Sequence, residues 1–234
     1  MINKEDANIL IVDDIEDNRF TLERRLKRDN YKNIFSVDGG QAALDEVKKL
    51  DFDLILLDLM MPDISGLDVL KTLKGNPITL VGPELKVGDK APDFVCDQGL
   101  APTISLSDMV GKVKIFNVLL SISTPVCQAQ TRKFNEELST IGGDLEAYIV
   151  SSDLPMSHKT WCGAEGIELI KGIADYKDNV FGSTYGVLMK DHKLLCRAVF
   201  VIDKENIIRH VEYVSEISQE PDYDKALSVI KGLV

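Results

Sequence analysis

The chain has 234 residues, 28% of them charged, with a formal net charge of −11 and an isoelectric point near 4.8. That balance argues against nucleic acid and anionic membrane surfaces as partners, and no apolar run approaches the roughly 20 residues needed to span a bilayer. Length is consistent with about one to two domains. The start, Met1-Ile2-Asn3-Lys4-Glu5-Asp6, lacks a charged-then-apolar signal layout, so a cytoplasmic setting is expected, in which cysteines cycle rather than staple.

In chain order, Ile9-Leu10-Ile11-Val12 reads as a buried strand ending in the paired carboxylates Asp13 and Asp14. An amphipathic helix is expected over Glu16 to Asp29, a short strand over Asn33 to Val37 and a second helix over Gly40 to Leu50. Leu54-Ile55-Leu56-Leu57 is another apolar strand, ending at Asp58 and succeeded by Met60-Met61-Pro62-Asp63-Ile64-Ser65-Gly66. Strands alternating with helices imply a parallel sheet. Carboxylates at the C-terminal ends of two of its strands meet in one crevice. Asp13, Asp14 and Asp58, so crowded, would repel one another and attract a hard divalent cation such as Mg²⁺. The segment Asp68 to Lys74 reads as a third helix, while Thr72 to Pro77 also reads as the opening strand of a second domain, with no Gly/Ser/Pro-rich linker between them.

Further along, Cys96 lies in an extended segment, and Val113 to Leu120 is a mostly apolar, β-rich run fit for a buried strand. From about Val126 to Ile141 the spacing is helical, with Phe134, Leu138 and Ile141 on one stripe. Cys127 therefore falls in the first turn of a helix, where free N–H groups and the dipole favour an anion and so a thiolate. Thr124 is placed to set a hydroxyl beside that sulfur. Cys162 sits in a segment rich in turn and capping residues, expected to be able to move. One activated cysteine with one movable partner points to redox chemistry on a peroxide or a disulfide. Cys96 and Cys196 read as small apolar residues. No Cys-x-x-Cys and no cysteine–histidine spacing fits zinc. His158, His192 and His210 are scattered, with solvated or packed roles expected.

Two resemblances are carried by these runs. The acidic pair Asp13 and Asp14, the acceptor position Asp58 and the Met-Pro-Asp-x-x-Gly loop after it resemble the response-regulator receiver family. The likeness stops about halfway through that fold, because the strand ending in a hydroxyl residue and the strand ending in lysine are missing. From about Thr72 to Val234 the chain resembles the thiol peroxidases, the atypical two-cysteine branch of the peroxiredoxins. The likeness rests on Leu85-Lys86-Val87-Gly88-Asp89-Lys90-Ala91-Pro92-Asp93-Phe94, on Trp161-Cys162-Gly163-Ala164-Glu165-Gly166, on Arg197-Ala198-Val199-Phe200 and on Glu220-Pro221-Asp222-Tyr223.

The resemblances imply an α/β protein. A truncated flavodoxin-like receiver half over 1–71 would be followed by a thioredoxin-fold peroxiredoxin domain over 72–234. They imply a peroxidatic Cys127, a resolving Cys162, an active-site Thr124 and an active-site Arg197. Hydrogen peroxide and organic hydroperoxides would be the substrates, thioredoxin the reductant and a homodimer the assembly, with no cofactor for the peroxidase. Asp58 would be the phospho-acceptor and Asp13, Asp14 and Asp58 the Mg²⁺ ligands of the receiver half. The chain departs from the peroxidase pattern Pro-x-x-x-Thr-x-x-Cys at Leu120 and places Ser123 where an aspartate is usual. Two alternatives stand beside the enzyme: a phosphorelay signalling protein with a degenerate peroxidase domain, and a non-catalytic binding or scaffold protein.

Overall fold

A computed structural model describes residues 5–47, 49–62, 72–73, 76–99, 101–109 and 111–234. The chain separates into two compact units, Met1–Thr79 and Leu80–Val234.

In the first unit, β1 (Asn8–Val12) lies between β2 (Asn33–Val37) and β3 (Leu54–Leu57), all parallel. Connecting helices α1 (Glu16–Arg28) and α2 (Gly40–Glu46) supply the crossovers a parallel sheet needs. Ile9 to Val12 are all buried, as expected of a central parallel strand. The core is small: Leu10 and Val12 meet Ala43 and Leu44 of α2, and Met61. Among the described strands β3 closes one side of this three-stranded sheet, with Leu54 44% exposed. The second helix is shorter than the apolar spacing implied, ending at Glu46 rather than Leu50. The Met60 to Gly66 loop is described only as far as Pro62, and the predicted third helix falls outside the described residues except at Thr72 and Leu73. Those two residues form a short strand, β4 (Thr72–Leu73), paired antiparallel with β5 (Asn76–Pro77).

The second unit is built on a seven-stranded sheet. Its strands are β7 (Val95–Asp97), β8 (Thr103–Ser105), β9 (Val113–Val118), β10 (Leu145–Ser151), β11 (Ile170–Ala174), β13 (Ala198–Ile202) and β14 (Ile208–Tyr213), in the order β14-β13-β9-β10-β11-β7-β8. A separate pair joins β6 (Leu80–Val81) to β12 (Leu188–Met189). β9, β10 and β11 are parallel and joined by two right-sized crossovers: α3 (Pro125–Ile141) and α4 (Pro155–Ala164). α5 (Val180–Thr184) and α6 (Tyr223–Lys231) complete the described helices.

Alternation along β9 divides the core. Val113 and Ile115 pack with Val199, Val201, Phe134, Leu138 and the apolar face of α6. Phe116, on the opposite face, makes edge-to-face contacts with Phe94, Phe181 and Tyr185. Lys114 also points to that second face and is fully buried, its Nζ donating to the Asp203 carbonyl at 2.9 Å and to Asn206 Oδ1 at 2.5 Å. β9 ends two residues before Leu120: the chain turns there, because Asp153 captures the Ile122 N–H at 2.7 Å. Among the described residues, no helix is long and apolar enough to cross a membrane.

Candidate active site

α3 starts sharply. Thr124 is the N-cap in extended conformation, and Pro125 occupies the first helical position, where its missing N–H costs nothing. Cys127 is thus in the first turn, among N–H groups that have no intrahelical acceptor. Its side chain is 0% exposed. The Thr124 hydroxyl donates to the Ser121 carbonyl at 3.1 Å, so it braces the loop before the helix rather than capping the helix.

Arg197 immediately precedes β13, which pairs antiparallel with β9, and this brings it across the sheet to the start of α3. Its guanidinium, 1% exposed, has partners on three sides. Nη2 donates to Cys127 Sγ at 3.4 Å, Nε donates to the Ile217 carbonyl at 2.9 Å, and Nη1 donates to Gln130 Oε1. Gln130 in turn donates to Asn117 Oδ1 of β9. No carboxylate among the described residues lies within ion-pair distance of Arg197. A buried cation held only by neutral acceptors and a sulfur is a strong donor to negative charge that develops beside it.

Cys162 lies on α4, a regular helix started by Pro155, not on an irregular segment. It is buried and belongs to the same apolar cluster as Cys127, and burial pushes its thiol up. All four cysteines are free thiols. Cys96 is not merely apolar: its sulfur donates to Asp175 Oδ1 at 3.4 Å, and burial together with that carboxylate raises it far above the usual thiol range. Asp175 also accepts from the Phe181 and Gly182 N–H groups at the start of α5. Cys196 is buried and its N–H donates to the Val187 carbonyl at 2.7 Å.

The loop carrying Thr124 is organised by Asp153. This carboxylate accepts from Ser121 Oγ at 2.8 Å, from the Ile122 N–H at 2.7 Å and from Ser151 Oγ at 2.7 Å. Ser123 is exposed, and its N–H donates to Ser121 Oγ at 3.1 Å, while Leu120 packs against the cluster that contains Cys127. Sequence reasoning missed Gln130 and Asp153. Gln130 carried a signal: it falls three residues after Cys127, on the buried stripe of α3, where a polar residue needs a reason. Asp153 carried none, since its partners in the loop lie about thirty positions away.

In the first unit, the side-chain oxygens of Asp13, Asp14 and Asp58 lie within 4.8 Å of one another. The cause is register: Val12 pairs with Leu57, and the Asp58 N–H donates to the Val12 carbonyl at 2.8 Å, so the two strand ends are adjacent. An all-oxygen donor set of this kind fits a hard divalent cation.

A Redoxin family model matches residues 86–227, and a response regulator receiver domain model matches residues 9–87. The chain is 47% identical over 163 residues to the thiol peroxidase of Bacillus subtilis, a match spanning 70% of this chain and 97% of that protein. The chain belongs to the redoxin family, with the thiol peroxidases. The thiol peroxidase of Halalkalibacterium halodurans is 50% identical over 162 residues, covering 69% of this chain and 96% of that one. Among solved structures, a peroxiredoxin-like protein from Aquifex aeolicus superposes with a TM-score of 0.64 at 37% identity, covering 70% of this chain and 96% of its own. This redoxin thus carries a receiver domain at its N-terminus and a thioredoxin-fold peroxiredoxin domain at its C-terminus, as the sequence implied.

Proposed function

We propose that the protein is a thiol-dependent peroxidase that reduces hydroperoxides at Cys127. The observation that carries this is the buried Arg197 guanidinium, 3.4 Å from Cys127 Sγ and without a carboxylate partner among the described residues. The Cys127 thiolate attacks the terminal oxygen of the hydroperoxide, the O–O bond breaks, and the sulfur becomes a sulfenic acid. Negative charge grows on the departing oxygen. Arg197 and the free N–H groups of the α3 first turn are the donors available to it, and the Thr124 hydroxyl would join them by leaving the Ser121 carbonyl. Cys162 then displaces the sulfenic hydroxyl to give an intrachain disulfide. Both thiols start out buried on separate helices, so the first turn of α3 and part of α4 must open for the Cα atoms to come within about 7 Å. Thioredoxin, as external dithiol, resets the pair by exchange.

Asp13, Asp14 and Asp58 would hold Mg²⁺ in the receiver half, and such an ion supplies positive charge beside the Asp58 carboxylate. A peroxide-consumption assay with thioredoxin and its reductase tests the main reading. Cys127→Ser should abolish turnover, and Cys162→Ser should allow one turnover and then stall. Full multi-turnover activity in the Cys127→Ser protein would overturn the assignment.

A further inference from the structure

Cys162 lies in the weakest part of α4. Gly163 follows it inside the helix, and Gly166, at a φ of +65°, comes just after the helix end. Glycine is a poor helix former because it has the most backbone freedom to lose. Packing does not demand it at Gly163, where a Cβ would meet nothing within 4 Å. The earlier part of the helix is anchored on β10, through His158 Nε2 at 2.7 Å from Ser151 Oγ. The last turn, which carries Cys162, needs a hold of its own.

That hold comes from α3. Arg132 Nε donates to Glu165 Oε2 at 2.7 Å, and the Arg132 guanidinium carbon lies 5.5 Å from the centre of the Trp161 ring. One side chain thus grips two residues a single turn apart, and Cys162 lies between them. A guanidinium suits the double grip, since its face meets a ring while its edge donates to a carboxylate. Trp161 also packs on the apolar cluster that contains Cys127 and Cys162. Arg132 is five residues beyond Cys127, past the first turn of α3, and its neighbours Thr131 and Phe134 are fully buried. It therefore stays in place when that first turn opens, and the grip must break for Cys162 to leave.

We propose that Arg132 is a positioning residue for Cys162, and that release of its grip on Trp161 and Glu165 sets how fast the resolving thiol reaches Cys127. The inference rests on the peroxidase reading above. In the step it governs, the Cys162 S–H and Cys127 S–O bonds break, the S–S bond forms and water leaves. The Cys162 sulfur is oxidised and the sulfenic sulfur reduced. Arg132 takes no part in that exchange and acts only through the segment it holds.

The test uses the full reduced chain. A thiol-alkylating reagent is first added in excess without peroxide, and each cysteine is counted by peptide mass over time, because a buried thiol reacts through local opening. Cys162 should be labelled about three- to tenfold faster in Arg132→Gln than in the wild type, with Cys196, 1% exposed, unchanged. Glu165→Gln removes only the ionic arm, so it should give a smaller rise and add nothing in the Arg132→Gln background. Salt at about 0.5 M should speed labelling of Cys162 in the wild type and leave Arg132→Gln unaffected. One equivalent of hydroperoxide with dimedone trapping then counts sulfenic acid and disulfide separately. Arg132→Gln should form sulfenic acid at the wild-type rate and convert it to disulfide faster by the same factor. Unchanged labelling of Cys162 in Arg132→Gln overturns the proposal, and so does a rise shared equally by Cys196, which would mark a loss of stability throughout the domain. Faster labelling with unchanged disulfide closure overturns it as well. Failure of the wild type to form sulfenic acid is a different result: it removes the peroxidase reading, while the labelling comparison still decides whether Arg132 holds Cys162 in place.

Discussion

Replacing Arg197 with methionine takes away the guanidinium that meets Cys127 Sγ at 3.4 Å and leaves Gln130 Oε1 and the Ile217 carbonyl without that donor. Two unit charges at such a separation interact by about 5 kcal/mol at an effective dielectric near 20. That figure is an upper bound, since the charge in the transition state is shared with the departing oxygen. A hydrogen bond to a charged group contributes a net ~1.5–3 kcal/mol. The lower range is the better guide, and it corresponds to a rate constant for Cys127 oxidation reduced roughly ten- to 150-fold. Stopped-flow mixing with one equivalent of hydroperoxide, read by the fluorescence of Trp161, the protein's single tryptophan, gives that rate constant directly. Arg197→Lys should also be slow, because a single ammonium cannot reach three partners with the fork geometry of a guanidinium. A folded Arg197→Met protein oxidised within threefold of the wild-type rate would refute the electrostatic account of the site.

Asp153→Ala removes the acceptor of three hydrogen bonds that tie the Ser121–Ile122 turn to the end of β10, and a loss of about 2–3 kcal/mol in stability is expected from denaturant midpoints, with slower oxidation of Cys127 as the loop shifts. His158 is held neutral in the fold at about 4 against an ordinary 6.5. Below the unfolded value the unfolded chain binds a proton that the native one refuses, so stability should fall as pH drops from about 6.5 to 4, by up to about 3 kcal/mol, and His158→Gln should flatten that part of the curve. In the receiver half, millimolar Mg²⁺ should raise the melting temperature of the first unit; Asp58→Asn should raise it without metal, by relieving repulsion among carboxylates within 4.8 Å of one another, and should abolish the Mg²⁺ response.

Much of the fold was legible because its signals are local. Ile9 to Val12 and Val113 to Val118 are apolar runs of strand length, and both form interior strands of their sheets. Pro125 and the stripe Phe134–Leu138 fix α3 and so place Cys127 in its first turn. The register that brings Asp58 beside Asp13 also arises from strand ends alone. The contacts that stayed out of reach depend on long-range approach. Periodicity does not say that Arg197 crosses the sheet to Cys127; only the likeness to thiol peroxidases indicated it. Gln130 and Asp153 act through partners fixed by tertiary packing, and local pattern gives each the look of an ordinary polar residue. Local propensity also misjudges α4, where the turn-forming residues around Pro155 start a helix instead of loosening the chain.

The central claim is that Cys127 and Cys162 are the two ends of one redox cycle, although both are free and buried in the reduced protein. Peptide mass mapping after one equivalent of hydroperoxide tests it most directly. The account predicts a single intrachain Cys127–Cys162 disulfide, with Cys96 and Cys196 remaining as free thiols. A disulfide involving Cys96 or Cys196 as the main product, or an unoxidised Cys127, would contradict it.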